Sequence, residues 1–223
     1  MLEIILTASK FTYLVSATLT IGFLLAITFF ANNKQGTIRS EHLTIRNKVS
    51  IASWVWAGSS ALFVVATLAS VLDVQFSDAL DFTMLRSFVT QISLGKFLAI
   101  QVIGAIAVAI WARTLEKVSY ASIVLIIALI SISAPIFQSH SASGGSHLIA
   151  IGTLLVHVIA LTLWVGGLAS ILLCGELDKR LALNRFSQLA LWAALSVVIS
   201  GAVNAWIRMN FSGSRSEERR VGK

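Results

Sequence analysis

The chain has 223 residues, of which 57% are hydrophobic and only 12% charged, and its one proline, Pro135, leaves long apolar stretches uninterrupted. A soluble domain of this length needs far more polar surface, which excludes a water-soluble catalytic domain. The net charge of +7 does not point to nucleic acid either, because the basic residues lie in short connections beside apolar spans rather than on one amphipathic face.

Apolar runs of about twenty residues match the hydrocarbon thickness of a bilayer, and a helix satisfies every backbone group there without water. Such runs predict spans over Phe11–Ala31, Ser50–Leu72, Gly95–Arg113, Ser119–Gln138, Leu148–Leu173 and Phe186–Arg208. The expected fold is an all-α integral membrane bundle of about six transmembrane helices. A β-barrel is excluded because runs such as IVLIIALI from Ile123 do not alternate.

In chain order, MLEIILTASK lacks the basic region and small-residue cleavage site of a signal peptide, so the first span is read as retained. The first connection carries Lys34, Arg39, Arg46 and Lys48, with His42 expected to be solvated or against headgroups. Trp54, Trp56 and Trp111 fall near span boundaries and read as an aromatic belt. The second connection holds Asp73, Asp78 and Asp81, read as a solvated acidic loop, and Met84. Arg113 and Lys117 mark the third connection, SHSASGGSH from Ser139 the fourth, and Lys179, Arg180 and Arg185 the fifth.

Lys and Arg thus concentrate in alternate connections, which should be cytoplasmic, so the amino terminus should lie outside. Cys174, the lone cysteine, is expected at the cytoplasmic end of the fifth span and excludes an internal disulfide. Residues 1–212 read as one polytopic membrane domain. The segment GSRSEERRVGK, residues 213–223, breaks the charge rule, resembles vector- or assembly-derived read-through and is expected to be non-native, with a longer natural chain.

Ionisable groups inside a bilayer are expensive and mark function by default, and His157 lies about ten residues into the fifth span, near mid-bilayer. Thr153, His157, Ala160 and Trp164 share one helical face, expected to point into the bundle; Ser196, Ser200 and Asn204 form a second polar stripe on the sixth span. Gly166 with Ser170, and Gly201 with Ala205, would let these two helices approach closely. At the outer end His140 and His147 bracket a Ser- and Gly-rich loop, and imidazole suits copper, zinc or iron. Met84 and Met209 could add the thioethers that suit Cu(I), or simply pack.

SHSASGGSHLIAIGTLLVHVIALTLWVGGL, Ser139–Leu168, resembles the signature of the copper resistance protein D family: a Gly-His-Ala-like turn, then a helix histidine shortly before Trp-x-Gly-Gly-Leu. His140 stands at the turn, His157 at the helix histidine, and Trp164, Gly166, Gly167 and Leu168 at the closing motif; Ser139 replaces a frequent glycine. RFSQLALWAALSVVISGAVNAW, Arg185–Trp206, is similar to the family's next segment. From Phe11 to Gln138 the resemblance lies mainly in span layout. It implies a bacterial inner-membrane protein handling copper, with a periplasmic copper carrier as partner, or with a cytochrome oxidase assembly-like domain following it.

The leading expectation is copper transport or handling. His140, with His147 and Met84, captures the ion outside, and His157 receives it in the bundle, supported by Thr153, Trp164, Ser200 and Asn204. Copper ion and lipid are the expected partners, nucleic acid is not, and no redox or hydrolytic constellation indicates an enzyme. Two alternatives stand: a haem protein, for which the sequence offers no second histidine at mid-depth, and a structural or oxidase-assembly subunit in which His157 only hydrogen bonds to Asn204 or Ser200.

Overall fold

The computed structural model describes residues 1–31, 36–38, 40–138 and 147–221, without the side chains of 41, 147–150 and 207–221. The described chain is helical apart from its connections and one isolated bridge between Thr37 and Lys117. Its helices are α1 (Leu2–Leu25), α2 (Leu43–Leu72), α3 (Phe82–Gln91), α4 (Ser93–Ala112), α5 (Val118–Ser133), α6 (His147–Leu173) and α7 (Lys179–Val221). Six of these, all but α3, are long and apolar enough to cross a membrane, counting the turns that extend α1 to Phe30 and α5 to Phe137. The predicted spans are therefore all present. α1, α2 and α7 begin several residues earlier than expected, and α7 runs on to Val221.

α1 is the central helix. It packs against α2, α5 and α6, while α4 joins α2 to α5 and α7 lies outside α6. The burial follows this order, deepest in the first span and shallowest in the last. Ala17, Ile21 and Leu24 of α1, and Ile27 of the turn that extends it, are fully buried among Val49 and Trp56 of α2, Ala105 and Val108 of α4, and Ala128 of α5. The alanines among them, Ala17, Ala105 and Ala128, let the helices approach, which matters in a bilayer because lipid is as apolar as leucine and packing supplies most of the association energy.

Past Leu25 the first helix widens into a π-helical turn over Ala26–Phe30. Its carbonyl groups are taken up from α7: the Arg185 guanidinium donates to the carbonyls of Phe29 at 2.8 Å and Ala31 at 3.1 Å. Phe186 then packs edge-on against Phe30, ring centroids 6.0 Å apart. A cation at a helix carboxyl end also meets the negative end of the macrodipole.

The three Lys- and Arg-rich connections meet at one end of the bundle. Ile38 N–H donates to the Glu116 carbonyl at 2.8 Å and Val118 N–H to the Gly36 carbonyl at 2.9 Å. Arg46 donates to the Leu115 carbonyl at 3.4 Å, and Lys48 donates to the Leu173 carbonyl at 3.0 Å and pairs with Glu176 at 3.1 Å. His42 departs from its expected solvated place: it is only 3% exposed, and its positive potential helps to hold the Glu176 carboxyl down. At the opposite end, the acidic connection is more ordered than a solvated loop. Asp73 closes α2 in a left-handed conformation, φ 52°, and Asp81 caps α3 by accepting from the backbone N–H groups of Thr83 and Met84.

The tryptophans divide. Trp54 and Trp111 are about half exposed, as a membrane belt requires, but Trp56 is fully buried. It belongs to the core, because its face of α2 is the one turned toward α1 and α4.

Candidate functional site

α6 and α7 run antiparallel and are tied by two polar rungs. The Thr153 hydroxyl donates to Asn204 Oδ1 at 2.7 Å, and His157 Nδ1 lies 3.1 Å from Ser200 Oγ. Each rung moves four residues up one helix and four down the other, the spacing that keeps side chains on one helical face. Ser200 Oγ also donates to the carbonyl of Ser196, at 2.5 Å, and reaches that of Val197 at 3.2 Å. His157 is partly buried, and its Nε2 has no hydrogen-bond partner among the described residues.

A groove of about 310 Å³ opens beside these rungs, lined by Thr153 and Val156 of α6 and by Ser196, Ile199 and Ser200 of α7. The hydroxyls of Thr153, Ser196 and Ser200 are the polar groups among its lining residues. A larger depression of about 450 Å³ between α1 and α2 is lined by Phe11, Val15, Phe23, Ile51 and Val55; its one charged group, Lys48, is already paired with Glu176. The smaller groove is the one that borders the two rungs, whereas the hydroxyls of the larger one, Thr12 and Ser16, bond back to their own helix.

The expected partners of the small residues need correction. Gly166 does not bring α6 to α7. Gly166 faces α1, where a β-carbon on it would stand 2.5 Å from the Thr18 carbonyl oxygen and 3.1 Å from Gly22 N. Gly167 meets Phe186, whose Cε2 would lie 3.0 Å from an added β-carbon. The Gly-Gly pair thus fits α6 between α1 on one side and an aromatic ring of α7 on the other. Gly201 does lie over the His157 ring, but a β-carbon there would be in ordinary contact at 3.8 Å, so glycine is not required. Trp164 is 36% exposed, whereas Ala160 on the same stripe is buried; the stripe turns out of the bundle before it reaches the tryptophan.

His140 lies outside the described residues, and so do the side chains of His147 and Met209. His147 opens α6, ten residues before His157. Met84 is 42% exposed on α3 and borders a shallow depression formed with Leu68 and Leu72 of α2 and with Ser87 and Phe88 of its own helix. It shares no lining residue with the groove beside the rungs. Among the described residues no group of three or more His, Cys, Asp or Glu side chains is placed to hold a metal ion. Cys174, buried just past α6, has its thiol pushed up to about 11, chiefly by desolvation, against a smaller opposing effect of Lys48. It stays protonated and is a weak ligand and nucleophile.

The model of the copper resistance protein D-like, N-terminal domain matches residues 1–148. The chain belongs to this copper resistance protein D-like family. No curated protein and no solved structure matches it. The matched residues cover α1 to α5 and end at the start of α6, so they include the part where the sequence resemblance was mainly one of span layout. The rungs from α6 to α7 lie beyond them. The chain is thus a multi-pass membrane member of a copper-resistance family, with its one described intramembrane histidine in the α6–α7 pair.

Proposed function

We propose that the chain handles copper at the bacterial inner membrane, carrying or passing the ion rather than catalysing a reaction, and that His157 is its ligand within the bilayer. The observation that carries this reading is a partly buried imidazole inside an apolar span, held by Ser200 on one nitrogen and without a hydrogen-bond partner among the described residues on the other. Burying such a group in hydrocarbon is costly, and a copper-handling family supplies a reason for keeping it there. His140, in the connection before α6, and His147, which opens α6, are the proposed capture ligands, with His147 about 15 Å from His157 by helix rise. Met84 serves as a separate outer contact. The basic end of the bundle faces the cytoplasm in this reading, and the amino terminus faces out.

A structural role for the pair has one observation in its favour, since the Ser200 contact already satisfies Nδ1. Haem has less support: bis-histidine ligation needs a second histidine at similar depth, and α7 offers Ser200 and Asn204 at this level. The test is metal content and visible spectrum of the purified protein after growth with copper. Copper bound in proportion to protein, and lost in His157→Gln, supports the reading. A Soret band in proportion to protein overturns it in favour of haem, and metal-free protein favours the structural role.

A further inference from the structure

The contact between His157 and Ser200 carries more than a position. A serine hydroxyl has one proton. Ser200 Oγ bonds back to carbonyl oxygens of its own helix, that of Ser196 first and that of Val197 at 3.2 Å, and a hydrogen bond between two oxygens needs a proton between them. That proton is the Ser200 hydroxyl hydrogen, because a carbonyl has none to give. Toward His157, 3.1 Å away, Ser200 Oγ therefore presents a lone pair, so Nδ1 must be the nitrogen that carries the hydrogen. A neutral imidazole has one N–H, which leaves Nε2 bare.

We propose that Ser200 is a positioning residue: by accepting from Nδ1 it fixes His157 in the Nδ1–H tautomer and leaves Nε2 as an unprotonated donor nitrogen inside the bilayer. This deepens the copper reading and rests on it for its purpose, though the tautomer stands on the hydrogen-bond geometry alone. The commoner tautomer of a free histidine side chain carries its hydrogen on Nε2, so the arrangement is imposed. In metal sites a partner on one ring nitrogen commonly orients the other toward the ion. A serine that has spent its proton on its own helix does this without a charge, which suits a medium where a carboxylate would be costly. The ligand class it favours is a cation that accepts one imidazole nitrogen, such as Cu(I). The rung from Thr153 to Asn204, one turn away, holds the register in which the two groups meet.

The experiment is nitrogen NMR of the full chain in detergent with labelled histidine. The chain has four histidines, and His157→Gln assigns the His157 signals by their absence. In metal-free protein near neutral pH, Nδ1 should resonate as a protonated nitrogen and Nε2 as a bare one. Ser200→Ala should move both toward the averaged positions of exchanging tautomers, and Ser200→Thr, which keeps a hydroxyl able to bond back to its own helix, should restore them. Adding Cu(I) under reducing conditions should shift Nε2 alone, with about 10- to 100-fold weaker binding in Ser200→Ala. A protonated Nε2 in the wild type would overturn the proposal whatever copper does, and needs no variant to fold. Wild-type nitrogen shifts in folded Ser200→Ala would overturn it too. A bare Nε2 indifferent to Cu(I) would instead sink the copper reading while leaving the tautomer assignment intact.

Discussion

Gly166 of α6 lies directly on the backbone of α1 at Gly22, so that a β-carbon on Gly22 would overlap the Gly166 carbonyl. The crossing fixes α6 to the central helix and with it the depth of His157. Helices associate in lipid through such close backbone contact, and overpacking a tight contact costs about 1–3 kcal/mol. Gly166→Val or Gly22→Val should lower thermal stability in detergent by that order. Gly201→Ala should be neutral or slightly stabilising, since its β-carbon would meet only the His157 ring at 3.8 Å. Unfolding curves showing Gly201→Ala as the most damaging of the three would show that the α6–α7 contact is the tight one.

A second prediction concerns acid. Burial tends to raise the Glu176 carboxyl, but its backbone hydrogen bond, Lys48 and the positive potential of His42 together outweigh this and hold it below the ordinary 4.5. The folded state therefore binds this proton less readily than the unfolded one. Its contribution is complete above about pH 4.5, the unfolded value, and is lost as pH falls through the lowered folded value. Both side chains are partly exposed, 30% for Lys48 and 22% for Glu176, so the pair contributes about 0.2–1 kcal/mol. Glu176→Gln should lose that amount at pH 7 and show a shallower decline in stability on acidification. An unchanged acid limb would mean the pair contributes nothing.

Cys174 combines full burial with a thiol pushed up to about 11, so very little thiolate exists at neutral pH to react. It should resist both permeant and impermeant maleimide in the folded protein and react only after unfolding. Its silence therefore cannot report which side it faces. In a Cys174→Ser background, cysteines at Asp78 and Glu116, exposed at opposite ends of the bundle, should separate the sides: impermeant reagent on intact cells should label position 78 and not 116. The reverse pattern would invert the proposed orientation.

The six spans were legible because each is a long apolar run, and hydropathy needs no partner to be read. α3 was not, because ten residues fall short of a span and its start depends on the Asp81 cap, one aspartate among three in that connection. The stripes on α6 and α7 were visible from i, i+4 spacing, and the Thr153–Asn204 and His157–Ser200 rungs join them. Small residues announce that some helix approaches without naming it, which is why Gly166 was assigned to α7 and proves to face α1. Trp56 fails in the same way. Its distance from a span boundary says nothing of which face of α2 turns inward.

The final prediction separates ligand from packing at His157. Truncation to Ala removes the contact with Ser200, and a hydrogen bond within a membrane protein is worth only about 0.6 kcal/mol on average. His157→Ala should therefore still insert, with a modest loss of stability. In His157→Gln the side-chain amide can donate to Ser200 Oγ in place of Nδ1–H, so this variant should match wild type in expression and melting. An amide nitrogen has no lone pair to give a metal, and its oxygen is a poor substitute for imidazole toward Cu(I). Copper uptake and copper sensitivity should therefore fall to the level of the deletion strain in both variants, although only one loses the hydrogen bond. Measured in one deletion background at matched expression, wild-type copper handling by His157→Gln would remove the ligand role and leave His157 as a rung between two helices.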